Sequence, residues 1–227
     1  MSQELAWDRE YIKSKLLTKD NKPQSDVVRF TKFLRKQGVE LAKCRVLDLG
    51  SGAGRNSFYF AEMGAGVVGL EISKTAIQIS NENSKKARLN IKYVKQSIGE
   101  KFPLEDESVD IVLDVTSSNS LSEGEREIYL SETNRVLKVG GYFLVKALCK
   151  DGDANAKYLL KNNPGKEKDT YIMPGLGVTE RVWSKDDLIS FYEKYFVIFN
   201  LEKKTSYSRI NNRVYKRNFW ICYLGKS

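Results

Sequence analysis

The sequence predicts a doubly wound α/β fold, in which a mostly parallel sheet of seven strands lies between layers of helices. Three observations support this prediction. Short apolar runs typical of buried strands alternate with longer amphipathic segments typical of helices. The first clear strand ends in a glycine-rich turn. Two further apolar runs near the C-terminus are joined by a polar link, which predicts an antiparallel strand pair.

The composition is that of a globular chain. Of its 227 residues, 41% are hydrophobic and 30% are charged, so we expect one domain with a sizeable core. It would comprise N-terminal helices at 1–38, a core at 44–148, an insertion at 150–183 and a C-terminal helix and strand pair at 184–227. The N-terminus lacks the apolar run of a signal peptide, and no run approaches the ~20 residues of a membrane helix. We therefore expect a cytoplasmic chain without a membrane partner.

Histidine is absent from the sequence, and this limits the possible chemistry. Its absence excludes Ser–His and Cys–His nucleophilic systems and the HExxH metalloenzymes. The three cysteines, Cys44, Cys149 and Cys222, are far apart and lie in strand-like sequence. We expect them to be small buried side chains, since no CxxC pair suggests zinc or redox chemistry. No metal site is predicted.

Two amphipathic segments predict helices before the first strand. The first spans 4–17 and the second spans 25–37. The second begins with serine and aspartate, which are favoured at helix N-termini, and a glycine typical of a helix end follows it. The polar stretch at 18–24 contains a proline and is expected to be a loop.

From the first strand onward, strands and helices alternate. The helical segments between strands predict right-handed crossovers, which make the sheet mostly parallel. Ser73 is a good N-cap for the helix after the second strand. The predicted strands are 44–49, 67–71, 91–94, 109–113, 142–148, 195–201 and 219–224, and the predicted helices between them are 56–63, 74–88, 123–137 and 184–192.

Two stretches interrupt this alternation. The segment 150–183 carries glycines and prolines but few sustained apolar periods, and a loop of this length inside a compact domain is usually functional, for example as a lid. Disorder or a surface decoration is the alternative. The link 203–217 carries six basic residues and no acid, which suits RNA phosphates, an acidic ligand or a solvated hairpin. Because no RNA-binding or zinc-finger pattern accompanies it, we favour the hairpin.

The glycine-rich turn after the first strand predicts a nucleotide-type cradle. Asp48 lies near the end of the strand, and Gly50, Gly52 and Gly54 follow at alternate positions before a helix begins. Glycine permits a sharp turn and a close approach of a ligand to the backbone. A dinucleotide site would show the spacing GxGxxG and an acid about 20 residues further on. Here the spacing is GxGxG, and Glu71 stands at the end of the second strand.

Four motifs in order resemble those of the class I S-adenosylmethionine-dependent methyltransferases, which have a Rossmann-like fold. The first is VLDLGSGAGRNS at 46–57, and the second ends in GLEI at 69–72. The third and fourth fall within 102–112, and the segment 135–142 is similar to the turn before the fifth strand of that family. The resemblance covers about residues 27–148. It implies an enzyme with S-adenosylmethionine as cofactor and S-adenosylhomocysteine as product.

The resemblance also implies where the cofactor binds. The amides around Gly50, Ser51 and Gly52 would lie against its methionyl and ribose parts, where side chains would collide. Asp48 suits the cationic amino-acid end, and Glu71 can accept both ribose hydroxyls because a carboxylate has two acceptor oxygens. The full set of cofactor-binding residues implied is Asp48, Gly50, Ser51, Gly52, Gly54, Asn56, Glu71, Ile72, Ser97, Ile98 and Asp114.

Several positions in this site carry alternatives. Ser97, beside Ile98, stands where the family often has an acid that binds the adenine amino group, so a serine oxygen or the backbone would take that contact. Asp114 resembles the residue beside the transferred methyl group, with a solvent-exposed turn acid as the alternative. Asn119 is expected to orient the acceptor, unless it only forms the turn. Tyr11 is the third catalytic candidate, with core packing as its alternative.

Methyl transfer from a sulfonium is an in-line displacement with a good leaving group. Positioning alone can supply ~7–11 kcal/mol of the rate enhancement, so a protein without histidine can perform the reaction. The loop 114–121 lacks the Asn/Asp-Pro-Pro-aromatic signature by which relatives that methylate the amino group of adenine or glutamine are recognised, and it has no cysteine of the kind used on pyrimidine carbon. The predicted function is therefore methyl transfer to an oxygen, nitrogen or sulfur atom of a small molecule.

The net charge of +9 favours an anionic partner, so we expect an acceptor that can carry negative charge. The same charge leaves open a methyltransferase that acts on RNA or protein, although no nucleic-acid motif supports it. A non-catalytic module that only binds the cofactor is a further alternative.

Overall fold

A computed structural model describes residues 3–13, 22–210 and 213–227. In these ranges the strands are β1 (Arg45–Leu49), β2 (Gly66–Glu71), β3 (Ile91–Lys95), β4 (Val109–Val115), β5 (Leu137–Leu148), β6 (Thr170–Ile172), β7 (Thr179–Arg181), β8 (Val197–Ile210) and β9 (Arg213–Gly225). The α-helices are α1 (Gln3–Ile12), α2 (Ser25–Lys36), α3 (Arg55–Glu62), α4 (Lys74–Ala87), α5 (Glu123–Val136), α6 (Ala154–Asn162) and α7 (Lys185–Tyr192).

The main sheet has the strand order β3-β2-β1-β4-β5-β9-β8. Strands β1 to β5 pair in parallel, whereas β9 pairs antiparallel with both β5 and β8. The predicted doubly wound, mostly parallel fold with a C-terminal antiparallel pair is therefore confirmed. From β1 the strands are added in one direction, through β2 to β3 at the edge of the sheet. The next strand, β4, lies on the other side of β1, so the direction in which strands are added changes between β1 and β4. Such a switch point leaves a crevice at the carboxyl ends of the strands, where ligands bind.

The core lies on both sides of the central strands. Alternate residues of a strand face opposite sides of a sheet, and the core follows this rule in β1. Val46 packs in one hydrophobic cluster with Phe30 of α2, whereas Leu47 packs in a second cluster with Tyr129 of α5. The mostly apolar sequences of β1 and β4 follow from this burial on both faces.

Most predicted boundaries agree with the structure to within two residues, but the last three strands of the main sheet differ. β5 begins well before the predicted start, directly after α5, with an irregular register near its beginning. β8 and β9 extend through most of the predicted link 203–217 and form a long antiparallel hairpin. A two-stranded ribbon need not bury either face, so its polar sequence lacked the alternation that indicates a strand. The predicted helix residues 14–17 lie outside the described residues.

The insertion 150–183 contains regular elements that the sequence did not indicate. It comprises α6 and a small antiparallel sheet of β6 and β7. A satellite cluster of apolar side chains holds it together. It is attached to the hairpin by polar contacts, because the backbone N–H of Asn218 donates to Asp153 Oδ2 (2.6 Å) and Arg217 donates to the Tyr171 hydroxyl (3.1 Å). Its role as a lid stays a prediction.

The three cysteines are buried and form no disulfide. Burial raises the pKa of the Cys149 thiol to about 11 and that of Cys222 to about 12. These thiols are therefore protonated and act as small apolar side chains, as predicted. Among the described residues, no helix combines the length and apolarity needed to cross a membrane.

Candidate functional site

A cavity of about 520 Å³ opens at the carboxyl ends of β1, β2 and β4, next to the switch point. Most of its wall comes from one face of α1, the glycine turn, the end of β2, residues 96–98 after β3 and residues from 115–121 after β4. Of the residues predicted for the site, the cavity brings together Tyr11, Asp48, Gly50, Ser51, Gly52, Asn56, Glu71, Ile72, Ser97 and Ile98.

The glycine turn is shaped by two positions that cannot carry a side chain. Gly50 has φ +64° and Gly52 has φ +56°, in the left-handed region that favours glycine. A Cβ atom at Gly50 would collide with the side chain of Ser117, and one at Gly52 would collide with the hydroxyl of Tyr11. The turn therefore presents bare backbone to the cavity.

Gly54, which was predicted to bind the cofactor, is not among the residues that line the cavity. It has φ +91° and is the N-cap of α3. A Cβ atom there would lie 2.5 Å from the hydroxyl of Tyr93 and 3.0 Å from the ring of Phe58. Gly54 is thus required by packing behind the turn and by the start of the helix.

Glu71 fixes the glycine turn to the end of β2. Its Oε2 accepts a hydrogen bond from the Gly52 N–H and its Oε1 accepts one from the Ser73 N–H, both at 2.8 Å. Burial raises the pKa of this carboxyl, and these amide hydrogen bonds oppose the shift. Each oxygen keeps a second lone pair. The carboxylate can therefore accept two further hydrogen bonds from a ligand in the cavity.

Asp48 is the second buried carboxyl in the wall, with 2% of its surface exposed. Its Oδ2 accepts a hydrogen bond from the Ser57 hydroxyl (2.6 Å). Burial raises the pKa of Asp48 to about 7, against the opposing effect of the Ser57 hydrogen bond, and the nearby Glu71 charge raises it further. Burial makes the ionised form of Asp48 unfavourable, and a positive charge nearby would stabilise that ionised form. The nearby positive charge of Arg55 offsets the cost only in part, and a cationic ligand group at this end of the cavity would offset it further.

Asp114 and Asn119, both predicted for the site, lie behind the cavity wall and not in it. Asp114 is fully buried, and its Oδ2 accepts a hydrogen bond from the Tyr129 hydroxyl (2.7 Å). The strand register explains this placement. Asp114 pairs with Leu49 of β1, and paired residues of parallel strands face the same side of the sheet. Leu49 packs in the core with Tyr129, so Asp114 also faces that core.

Helix α1 covers the cavity with one face. Gln3, Trp7 and Tyr11 recur every fourth residue, and all three line the wall. Behind the helix, Ala6 packs against Leu176 and Val178 of the insertion. The insertion therefore supports α1, and no described residue of 150–183 lines the cavity itself.

A polar contact holds α1 at the other side of the cavity. Asp8 Oδ1 accepts hydrogen bonds from the Ser73 hydroxyl and the Thr75 N–H, both at 2.8 Å, at the start of α4. The Thr75 amide is the main reason that the pKa of Asp8 lies below its ordinary value. Since Ser73 also donates its N–H to Glu71, one short segment connects the covering helix with the cavity carboxylate.

We expect Asp8→Ala to weaken binding of S-adenosylhomocysteine about fivefold. The substitution removes an acceptor for a helix N-terminal amide, which is worth roughly 1 kcal/mol, and loosens the helix that closes the cavity. Calorimetry with S-adenosylhomocysteine measures the change. Asp8→Asn is the matched control, because it keeps an acceptor oxygen and should recover most of the affinity. Equal affinity in Asp8→Ala and the unaltered chain would show that this contact does not hold the cover.

The sequence did not identify several polar residues of the wall. Gln24 is held there because its N–H donates to Asn56 Oδ1 and its Oε1 accepts from Lys146, both at 3.1 Å. Contacts between segments so far apart in the chain leave no motif. The position of Gln96 directly after β3 was a usable signal, since ligands bind at the carboxyl ends of strands. Further polar residues of this kind are Gln3, Arg55, Asn83, Ser117 and Ser120.

Two hydroxyl groups of the wall are buried without a partner. Neither Ser51 Oγ nor Ser120 Oγ has a hydrogen-bond partner among the described residues. Leaving a buried polar group unpaired costs about 1–3 kcal/mol, which a ligand can recover by binding to it. Within the same ranges, no three Cys, Asp or Glu side chains are grouped as a metal ion would require.

The sequence matches a known protein family and several named methyltransferases. The family model described as a methyltransferase domain matches residues 40–194, more than half of the chain. A ubiquinone biosynthesis O-methyltransferase from Pelagibacter ubique is 26% identical over 135 residues, which cover 56% of this chain and 54% of that protein. A phthiotriol/phenolphthiotriol dimycocerosates methyltransferase from Mycobacterium ulcerans is 33% identical over 108 residues, which cover 47% of this chain and 38% of that protein. The matched region thus spans about half or less of these relatives.

Solved structures show the same fold at lower sequence identity. A SAM-dependent methyltransferase from Methanosarcina mazei superposes with a TM-score of 0.73 at 21% identity, covering 86% of this chain and 96% of that one. The Burkholderia thailandensis 1,6-didemethyltoxoflavin-N1-methyltransferase was solved with bound 1,6-didemethyltoxoflavin and S-adenosylhomocysteine. It superposes with a TM-score of 0.71 at 14% identity, covering 98% of this chain and 87% of that one. The chain therefore belongs to the class I methyltransferases, which use S-adenosylmethionine as the cofactor.

Proposed function

We propose that this chain transfers a methyl group from S-adenosylmethionine to an oxygen, nitrogen or sulfur atom of a small-molecule acceptor. The observation that carries the proposal is the cavity of about 520 Å³, which joins the glycine turn to the 115–121 segment under the cover of α1. This volume lies in the range of small-molecule sites. The relative named as a ubiquinone biosynthesis O-methyltransferase and the structural neighbour named as a 1,6-didemethyltoxoflavin-N1-methyltransferase are consistent with small acceptors.

The residues of the wall fit S-adenosylmethionine. The bare backbone at Gly50 and Gly52 leaves room for the ligand to approach, and the Ser51 hydroxyl awaits a partner. In this proposal Glu71 accepts hydrogen bonds from the ribose hydroxyls through its remaining lone pairs. Asp48 compensates the positive charge of the amino-acid end, directly or through water.

The adenine end of the proposed site lies between Ile72 and Ile98, whose apolar side chains suit the faces of a flat base. Ser97 stands beside them, and its Oγ accepts a hydrogen bond from the Gly99 N–H (3.1 Å). The hydroxyl proton of Ser97 is thus left to donate. A donor suits an adenine ring nitrogen rather than the amino group, so we propose that Ser97 binds the ring.

The chemistry requires little from the protein beyond orientation. When bound, S-adenosylmethionine supplies a methyl group on a sulfonium leaving group. The wall must align the acceptor with that methyl and exclude water, and α1 contributes to both by closing the cavity. Burial raises the pKa of Tyr11 well above its ordinary value, and the negative charge of Glu71 adds to this. We therefore propose that Tyr11 acts as a hydrogen-bonding group that stays protonated and does not act as a base.

We expect the affinity for S-adenosylmethionine to rise with pH up to about 7 and then to level off. The pKa of Asp48 is raised to about 7, so at lower pH the carboxyl must lose a proton before it can compensate the cation. Binding should weaken by up to about tenfold for each pH unit below this value. Calorimetric titration between about pH 5 and about pH 8 measures the effect. Asp48→Asn should flatten the curve, and an unchanged curve in that variant would assign the dependence to another group.

Two measurements test the proposed function. The first is calorimetry with S-adenosylmethionine and with NAD, where binding of NAD alone would contradict the cofactor assignment. The second is a transfer assay with labelled methyl groups against cell extract that has been separated into RNA, protein and metabolite fractions. Label in the metabolite fraction is the expected result. Cofactor binding without label in any fraction would favour a non-catalytic module.

Label in the RNA or protein fraction would favour the alternative class of acceptor, which the net charge of +9 motivates. Some of the basic residues on the hairpin are already paired, since Lys204 contacts Asp26 at 2.5 Å and Arg217 contacts Asp153 at 3.4 Å. A phosphate-binding surface would also show an affinity for RNA that falls steeply with salt concentration. We propose instead that the positive charge favours a small acceptor that carries negative charge.

A further inference from the structure

The backbone turn after β4 is strained where it lines the cavity. Thr116 has φ +72°, a conformation in which a β-branched residue is a genuine outlier. Of the described non-glycine residues with positive φ, Thr116 is the one that lines the cavity, whereas Arg88, Glu107 and Asp169 do not. Strain of this kind persists only where the surrounding structure enforces it, and it is concentrated at functional sites.

Two buried side chains hold the strained turn from behind. Asp114 Oδ1 accepts hydrogen bonds from the Ser117 N–H (2.9 Å) and the Ser118 N–H (3.2 Å). The side-chain amide of Asn119 donates to the Thr116 carbonyl (3.2 Å), and its oxygen accepts from the Leu148 N–H (3.1 Å). The strained segment is therefore fastened both to β4 and to β5.

On its other side, the turn meets the glycine turn of the cofactor site. The Ser117 hydroxyl donates to the Gly50 carbonyl at 3.4 Å, and it fills the space that a Cβ atom at Gly50 would need. Ser120, whose buried hydroxyl has no partner in the described structure, follows in the same wall. The covering helix also reaches this point, because the Gln3 side-chain amide donates to the Ser120 carbonyl. Cofactor cradle, cover and strained turn thus converge at one place.

We propose that the Thr116–Ser117 turn positions the acceptor for methyl transfer, and that Asp114 and Asn119 are positioning residues that maintain it. This inference rests on the proposed function. Because an in-line displacement depends on alignment, a small shift of the acceptor wall reduces turnover by far more than it changes binding of the cofactor. The two buried residues that the sequence assigned to catalysis thereby act through the turn, without touching the reacting atoms.

The first test replaces the strained residue with glycine, which adopts φ +72° without steric cost. In Thr116→Gly the turn is no longer confined to one conformation. We expect turnover in the labelled-methyl assay to fall about tenfold to 100-fold, the dissociation constant for S-adenosylhomocysteine to change by less than about twofold, and the melting temperature to stay the same or rise. Arg88→Gly is the matched control, since it changes an equivalent backbone position at the end of α4 and should not alter turnover.

The second test separates positioning from general stability. Asp114→Ala leaves the Ser117 and Ser118 amides without their acceptor, whereas Asp114→Asn keeps an acceptor oxygen of the same reach. We expect turnover to fall about 100-fold in the alanine variant and to recover to within about tenfold in the asparagine variant, both at near-normal affinity for S-adenosylhomocysteine.

The outcomes distinguish this inference from the proposed function. Normal turnover in Thr116→Gly would overturn the inference and leave the proposed function standing. A parallel loss of turnover and of S-adenosylhomocysteine affinity in both variants would also overturn it, because a merely structural defect gives that result. If the unaltered chain labels no fraction at all, the proposed function fails, and the inference fails with it.

Discussion

Gly52→Val is expected to reduce the affinity for S-adenosylmethionine by at least about 100-fold, the largest effect of any single substitution in the cavity wall. Gly52 has φ +56°, where an L-residue costs roughly 1–2 kcal/mol, and a Cβ atom would collide with the Tyr11 hydroxyl. The added side chain would also take up space in which the ligand must approach the backbone. Because Tyr11 belongs to the covering helix, which can move away, we expect the fold itself to persist.

The control for this substitution is Gly38→Val. Gly38 has a comparable φ of +81°, but a Cβ atom there would meet no atom within 4 Å. Both variants should therefore lose stability through backbone strain, while Gly38→Val alone should bind S-adenosylmethionine normally. Calorimetry and thermal unfolding of the two variants provide the comparison. Normal binding in Gly52→Val would be strong reason to reject the glycine turn as the cofactor site.

Glu71→Gln is expected to weaken binding of S-adenosylmethionine by about 10-fold to 100-fold. Hydrogen bonds to a charged acceptor are worth about 1.5–3 kcal/mol, and the proposed site places ribose hydroxyls on this carboxylate. In the unaltered chain, the Glu71 carboxylate accepts one hydrogen bond from the Gly52 N–H and one from the Ser73 N–H. The glutamine side chain has only one acceptor oxygen, so its NH₂ group would face one of these two N–H groups and that hydrogen bond would be lost. The glycine turn should therefore become less well fixed, in addition to the loss of the ligand contact.

Glu82→Gln on α4 is a matched control, because Glu82 is exposed and does not line the cavity. It removes the same charge from the protein, so it reports any general effect of net charge on binding. Isothermal calorimetry of both variants gives the difference. If Glu71→Gln binds S-adenosylmethionine as tightly as Glu82→Gln does, the proposed ribose contact is wrong.

The sequence was most informative where backbone geometry itself requires particular residues. The left-handed conformations of Gly50 and Gly52 are available to few residues other than glycine, so the spacing of the glycines in the sequence was enough to predict the turn. The acid at the end of β2 could be assigned in the same way, because the ends of adjacent parallel strands meet at one edge of the sheet. Ten of the predicted residues accordingly lie together in one cavity wall.

The sequence was least informative where a side chain can face either of two directions. Asp48 and Asp114 both lie near the carboxyl end of a central strand, yet Asp48 lines the cavity and Asp114 lies in the core. The register that pairs Asp114 with Leu49 decides this difference, and register depends on how the strands align in space. The wall residue Gln24 was likewise unpredictable, since Asn56 and Lys146 hold it in place from distant parts of the chain.

The sequence by itself determined the order of most strands and helices of the main sheet, the class of the fold and the position of the glycine turn, because apolar periodicity and obligatory glycines are local properties. Only the tertiary structure decided which polar residues line the cavity, how α1 covers the cavity with the insertion packed behind it, and that Asp114 supports a strained turn. These features depend on contacts between segments far apart in the chain, such as Asp8 with Ser73 and Asn119 with Leu148. Such contacts arise from packing and leave no pattern in the order of residues.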